Sequence, residues 1–212
     1  DDISELKFQI SNAAKNSDVL IITGGVSVGK YDLTKTALNE LGAEIFFEKI
    51  RLKPGKPAVF ARLGKCLVFG LPGNPVSAAV TFHLFVRTAI LLMQNASDPH
   101  MRKGFAILAE DAKAARERDA YVPSRLETNS SGQLVAHPLR WSGSSDFIGF
   151  AQADSLIIIP RDKSIAKGEV AGTVQYAAVH LGTPLFVVLG HEGCGAVQAA
   201  LQTLRHGTRE RS

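Results

Sequence analysis

Val19-Leu20-Ile21-Ile22-Thr23-Gly24-Gly25-Val26-Ser27-Val28-Gly29-Lys30-Tyr31-Asp32 is the stretch that decides how the first half of the chain is read. It opens as a short all-apolar run, the pattern of a strand covered on both faces of a parallel sheet. It then breaks into glycines, which let backbone approach a ligand closely and turn several peptide N–H groups into one concavity, a favourable place for an anion. A tight turn is the plain alternative for the same residues. Asp32 stands where the next helical pattern begins. It serves there either as an N-cap or as a carboxylate for a divalent metal or a water beside bound phosphates.

Upstream, Leu6, Ile10, Ala13 and Ala14 recur at helical spacing and predict a helix over about residues 3–16. Downstream, Leu33, Ala37, Leu38 and Leu41 predict a second helix closed by Gly42. Ala43–Phe47 is strand-like, and Ala58–Ala61 and Cys66–Phe69 read as a hairpin around Arg62-Leu63-Gly64-Lys65. A long helix starts at Asn74-Pro75, with Pro in the first helical position, and runs to about Met93. Helices alternating with apolar strands predict an α/β domain, assigned to residues 1–98.

The polar stretch Gln94–Gly104 marks a boundary. Beyond it Phe105–Leu108, Tyr121–Glu127, Leu134–His137 and Leu156–Pro160 are short strands, and residues 99–170 are expected to form a small, mostly β unit. From residue 171 the pattern changes again. Tyr176–Leu181 reads as a helix, Leu185–Leu189 as a buried strand that needs covering and is expected to dock on the first sheet, and Ala196–Leu204 as a further helix.

Composition narrows the function classes. The 212 residues leave room for one or two typical domains, and 45% hydrophobic with 21% charged residues describes a globular chain. A net charge of +4 is too mild to imply nucleic acid. No run approaches the roughly 18 uninterrupted apolar residues of a membrane span. Cys66 and Cys194 are the only cysteines, which excludes a disulfide framework and makes a reducing cytoplasm the expected location. The opening Asp1-Asp2-Ile3-Ser4 has neither an initiator Met nor an apolar leader, so a fragment without a secretory signal is expected.

Two further loops carry unusual chemistry. Lys49-Ile50-Arg51-Leu52-Lys53-Pro54-Gly55-Lys56-Pro57 places four cations in eight positions with no acid among them. Such a run is either a solvated face or, stiffened here by Pro and Gly, a device that holds Lys53 and Lys56 for an anion. Gly70-Leu71-Pro72-Gly73-Asn74-Pro75-Val76-Ser77 links an apolar strand to a helix whose first-turn N–H groups and Ser77 hydroxyl suit an oxyanion. A rigid connection with Ser77 merely exposed is the alternative.

Together the three loops resemble the molybdopterin molybdenumtransferase family, of the gephyrin E-domain type, over about residues 1–170. The resemblance implies a cytoplasmic enzyme that inserts molybdate-derived molybdenum into adenylylated molybdopterin, aided by Mg2+, and it explains the β unit as the family's small β-barrel domain. It also implies that Asp32 is catalytic. Gly24, Gly25, Ser27, Gly29, Lys53, Lys56, Pro57, Gly73, Asn74, Ser77, Arg118, Ser144 and Ser145 are implied to bind the substrates. Molybdate is a tetrahedral dianion, which cations, hydroxyls and helix-end N–H groups should surround. Family members are homodimers, so a homodimer is expected; the family's N-terminal domains lie outside this sequence, so weak turnover is expected too.

The tail resembles a different family. Gly172-Thr173-Val174-Gln175-Tyr176-Ala177 and Gly190-His191-Glu192-Gly193-Cys194-Gly195-Ala196-Val197 are similar to β-class carbonic anhydrase, in which the His-x-x-Cys pair ligates zinc. The resemblance implies His191 and Cys194 as zinc ligands of residues 171–212. The other Cys-x-Asp-x-Arg half of such a site does not occur, and a catalytic zinc keeps three protein ligands. A Zn2+-binding module and an inactive fusion fragment therefore stand as alternatives to the transferase, and carbonic anhydrase activity is not expected.

Overall fold

The computed structural model describes residues 2–26, 33–113, 115–140 and 142–175. In the first unit the strand residues alternate between two cores, as a sheet covered on both faces requires. β5 (Cys66–Leu71) sends Cys66 and Val68 to one core, and Leu67, Phe69 and Leu71 to the other. β4 (Pro57–Leu63) does the same with Val59 and Ala61 against Phe60. Helices α1 (Ile3–Lys15) and α2 (Leu33–Glu40) cover the first face with Ile10, Ala37 and Leu38. Asp2 caps α1 by accepting from the Ser4 N–H at 2.7 Å, and Gly42, at φ 74°, supplies the left-handed turn after α2.

A single helical rod, Pro75–Met93, covers the second face. It comprises α3 (Pro75–Thr81), a π-helical turn (Phe82–Val86) and α4 (Arg87–Met93). By length and composition this is the one helix among the described residues able to cross a membrane, which is weak evidence in a helix that packs on a sheet. The helix was expected from Pro75 to about Met93, and it holds no long uninterrupted apolar run because Ser77, Thr81, His83, Arg87 and Thr88 break it. Val76, Val80, Thr81 and Val86 are fully buried.

The sheet order is β1-β5-β4-β2, with β1 (Val19–Thr23) parallel to β5 and β2 (Glu44–Lys49) antiparallel to β4. β1 was expected to be covered on both sides, yet it lies at the edge among the described strands and leaves Ile21 39% exposed. An apolar run shows that a strand belongs to a sheet but not its place in the strand order.

In the second unit β6 (Lys103–Leu108), β7 (Asp119–Thr128), β8 (Leu134–Pro138), β9 (Ser155–Ile159) and β10 (Val170–Gln175) close on themselves. The order is β7-β8-β6-β10-β9, and β9 returns to β7. Closure leaves the ring without free edges. Ala106, Leu108, Ala120, Ala136, Ile157, Ile159 and Ala171 fill its core. β10 runs to Gln175, past the expected limit at Val170, because Ala171 and Thr173 alternate inward and the strand pairs with both neighbours. The elements expected over 176–212 lie outside the described residues.

The two units are stitched through a two-residue strand and a shared core. β3 (Leu52–Lys53) comes from the first unit in sequence but pairs parallel with the start of β7. Next to it, Leu52, Val76 and Val80 share a core with Met101, Phe150, Ala153 and Leu156. Phe150 belongs to α5 (Phe147–Ala151), capped by Asp146, whose carboxylate accepts from the Gly149 N–H at 2.8 Å.

Candidate functional site

The stitch between the units builds a cleft. Segment 49–57 doubles back, with the Ile50 N–H donating to the Lys56 carbonyl at 3.0 Å and a cis peptide between Lys53 and Pro54. At its turn Gly55 has φ 117°, and a Cβ there would stand 2.7 Å from Thr81 Cγ2 and 3.3 Å from Leu52 Cδ2. Only glycine lets this backbone lie on α3. That close approach carries Lys53 and Lys56 to Ser77, which is 5% exposed.

The start of α3 is fastened to the barrel side by one residue. Asn74 Nδ2 donates to Ser144 Oγ at 2.8 Å, and the Val76 N–H donates to the Ser144 carbonyl at 3.0 Å. The sequence reading expected free N–H groups in this first turn; Val76's is taken by the other unit, and Asn74 turns its side chain to Ser144 instead of capping the helix. Arg118 arrives from the residue before β7, where the Asp119 N–H donates to the Arg51 carbonyl at 3.0 Å.

The resulting cleft has a volume of about 480 Å³. Lys53, Lys56, Pro57, Asn74, Ser77, Arg118 and Ser144, all singled out by sequence, line it together with Pro54, Gly55, Pro72 and Gly143. Its lining holds three cations and no carboxylate. None of the ion pairs among the described residues involves Lys53, Lys56 or Arg118. No carboxylate pairs with them among the described residues, so their donors are available to a ligand, which is what an anion site needs.

Other candidates fall nearby or elsewhere. The Gly24 N–H donates to the Leu71 carbonyl at 3.0 Å, and a Cβ on Gly73 would lie 3.5 Å from Gly24 Cα, so the first loop abuts the third. Gly24, Gly25 and Gly73 do not line the cleft itself. Neither does exposed Ser145, whose carbonyl accepts from the Phe147 N–H at 2.9 Å. Ser27, Gly29, Asp32, His191 and Cys194 lie outside the described residues. Sequence reasoning missed Gly143, at φ 102°; a glycine directly ahead of the Ser144-Ser145 pair was the available signal.

Metal chemistry finds little footing here. No group of three or more His, Cys, Asp or Glu able to hold a metal occurs among the described residues. The cleft lining offers Mg2+ no carboxylate, the ligand such a cation needs, so that expectation rests on Asp32 alone. Burial pushes the Cys66 thiol up from its ordinary value, and it behaves as a core residue, not as a ligand.

Comparison with known proteins gives this geometry a family. The model for a probable molybdopterin binding domain matches residues 1–91, and that for the MoeA C-terminal region (domain IV) matches residues 106–175. A carbonic anhydrase model matches residues 157–212. The last two ranges overlap on β9 and β10, which the barrel uses. The molybdopterin molybdenumtransferase of Haemophilus influenzae is 33% identical over 174 residues, covering 80% of this chain and 42% of that protein. Gephyrin of Dictyostelium discoideum is 29% identical over 204 residues, covering 85% and 28%. The crystal structure of the molybdopterin biosynthesis moeA protein from Pyrococcus horikosii superposes with a TM-score of 0.68 at 30% identity, covering 82% of this chain and 41% of that one. The chain thus spans about two-fifths of the length of the first of these relatives and of this structure. With an α/β unit and a closed barrel matched in order, the chain belongs over residues 1–175 to the molybdopterin molybdenumtransferase family.

Proposed function

We propose that the chain serves molybdenum cofactor biosynthesis, holding molybdate in the junction cleft for insertion into the dithiolene of adenylylated molybdopterin. The observation that carries this reading is the convergence of Lys53, Lys56 and Arg118, unpaired and without a carboxylate, on Ser77, Asn74 and Ser144. A tetraoxo dianion fits that lining. Two lysines and one guanidinium supply charge-assisted hydrogen bonds, and hydroxyl and amide groups supply neutral ones. Cations held in a fixed wall lose little on closing around the ion, and they offset the charge that builds on oxygen as it leaves the metal. Gly24, the residue from which the sequence runs on to Asp32, abuts Gly73, and in this reading the adenylate end of the substrate belongs on that side. The family resemblance also supports a cytoplasmic homodimer.

Tungstate binding by calorimetry tests the reading. Lys53→Ala/Lys56→Ala removes two charged donors and should weaken tungstate by about 100-fold or more, at about 1.5 kcal/mol per donor. Unchanged affinity in that variant would end the proposal. The carbonic anhydrase match favours a second reading for the tail, zinc held by His191 and Cys194. Stoichiometric zinc that disappears in Cys194→Ser would support it.

A further inference from the structure

The barrel carries an uncovered apolar face on its outside. Ala106 and Leu108 of β6, and Ala171 and Thr173 of β10, are buried inward, so the residues alternating with them point outward. Among these Phe105 is 77% exposed and Val170 62%. Register sets the outward residues in two rows. Val135, Ile107 and Val170 stand side by side across β8, β6 and β10, and Phe105, Gly172 and Ile158 across β6, β10 and β9. None of the six is charged. Gly172 leaves a dip in the second row, where an added Cβ would meet only Ile158, at 3.9 and 4.0 Å. Ile158 itself packs against the core shared by the two units, so the face begins where the junction ends.

Single exposed apolar residues need no explanation, but a contiguous apolar patch calls for a partner. The chain itself supplies one. β10 crosses this face and ends at Gln175, and residues 176–212 continue from that point. A later segment can therefore fold back onto the face, at a closure cost that grows only slowly with the length between. Two segments there are apolar, Leu185–Leu189 and the helical pattern over Ala196–Leu204. A closed barrel has no free backbone edge to offer a strand, whereas a helix satisfies its own backbone and asks only for side-chain contacts.

Val197, Ala200, Leu201 and Leu204 recur at i, i+3, i+4 and i+7 and form one apolar stripe, with Gln198, Gln202 and Thr203 off it. A helix this short is marginal in water unless it buries such a stripe against a surface. We infer that Ala196–Leu204 lies as a helix on the outer face of the barrel, its stripe on the rows of Phe105 and Val170. Ala200, the smallest residue of the stripe, suits the dip at Gly172. The face and the stripe then cover each other, and neither is left to water.

Hydrogen exchange of the full chain, read by mass spectrometry, tests it. Amides of residues 197–204 should be protected by about 100-fold or more over an unstructured peptide, which a free helix of this length does not reach. Phe105→Asp/Val170→Asp should abolish that protection while the amides of β6 and β10 keep theirs, since both side chains are exposed. Tungstate affinity should not change. From the other side, Val197→Asp/Leu201→Asp should raise hydroxyl-radical modification of Phe105 several-fold. Unprotected amides over 197–204, or protection that survives Phe105→Asp/Val170→Asp in a folded barrel, would overturn the inference. Protection lost in Ile21→Asp but kept in the barrel variant would also overturn it, by assigning the helix to the first unit. Protection that grows with protein concentration would do the same, by giving the face to a second copy of the chain. If the barrel variant does not fold, the tail variant decides, and unchanged modification of Phe105 there refutes the docking.

Discussion

Cations on the open side of the α/β unit and cations at the junction with the barrel are treated in opposite ways. On the open side Lys7 pairs with Glu40 at 2.6 Å, Arg62 with Glu44 at 2.6 Å and Lys35 with Glu48. The Lys35 ammonium holds the Glu48 carboxyl below its ordinary range. At the junction Arg51, Lys53, Lys56 and Arg118 have no such partner among the described residues. Exposed pairs contribute little to folding, so the contrast is not about stability. It shows where the chain keeps its charge available for something that is not protein.

The sharpest way to break the contrast is to push the cation segment off α3. Gly55→Ala sets a Cβ against Thr81 and forces φ 117° on a residue that resists it. A loss of about 4 kcal/mol in unfolding free energy is expected from chemical denaturation, together with loss of tungstate binding. Retained stability would mean that the close approach does not organise the cleft.

Acid should act on the same rod from its middle. Burial, helped by the Arg87 charge, pushes the His83 imidazole down from 6.5 to about 4. Between those values the unfolded chain takes up a proton that the folded chain refuses. Stability is therefore full above pH 6.5, falls as the pH drops toward 4, and does not fall further on this account below it. The loss amounts to about 3 kcal/mol. His83→Leu should flatten that limb in urea midpoints measured against pH, and an unchanged limb would assign it to other groups.

Smaller effects follow for the fastening between units and for the paired rim. Asn74→Ala removes the bond to Ser144 and should cost about 1 kcal/mol, with a weaker tungstate affinity. Arg62→Ala breaks an exposed pair and should change stability by less than about 0.5 kcal/mol and tungstate binding not at all. If Arg62→Ala weakened tungstate as much as Asn74→Ala, the division into two groups of cations would be wrong.

Much of the fold was legible in local pattern. The helical spacing of Leu6, Ile10 and Ala14 and of Ala37, Leu38 and Leu41 marked helices now seen at Ile3–Lys15 and Leu33–Glu40. The hairpin around Gly64 is there, as is the helix from Pro75. Less legible were properties that depend on neighbours distant in sequence. An apolar Val19–Ile22 could not reveal that its strand lies at an edge. Gly172-Thr173 drew the boundary too early, because the pairing that places them in the barrel comes from Phe105 and Ile158.

Periodicity and backbone chemistry are written residue by residue, so the amino-acid order alone set the helices, the strands and the glycine and proline turns, including the lysine pair at Lys53 and Lys56. The meeting of those turns was settled only in three dimensions. Leu52 and Lys53 leave their own unit to pair with β7, Ser144 reaches across to α3, and Arg118 and Gly143 become part of a cleft whose other lining residues lie far from them in sequence. The physical reason is that such contacts join surfaces far apart along the chain, and their formation depends on how the two units fit together.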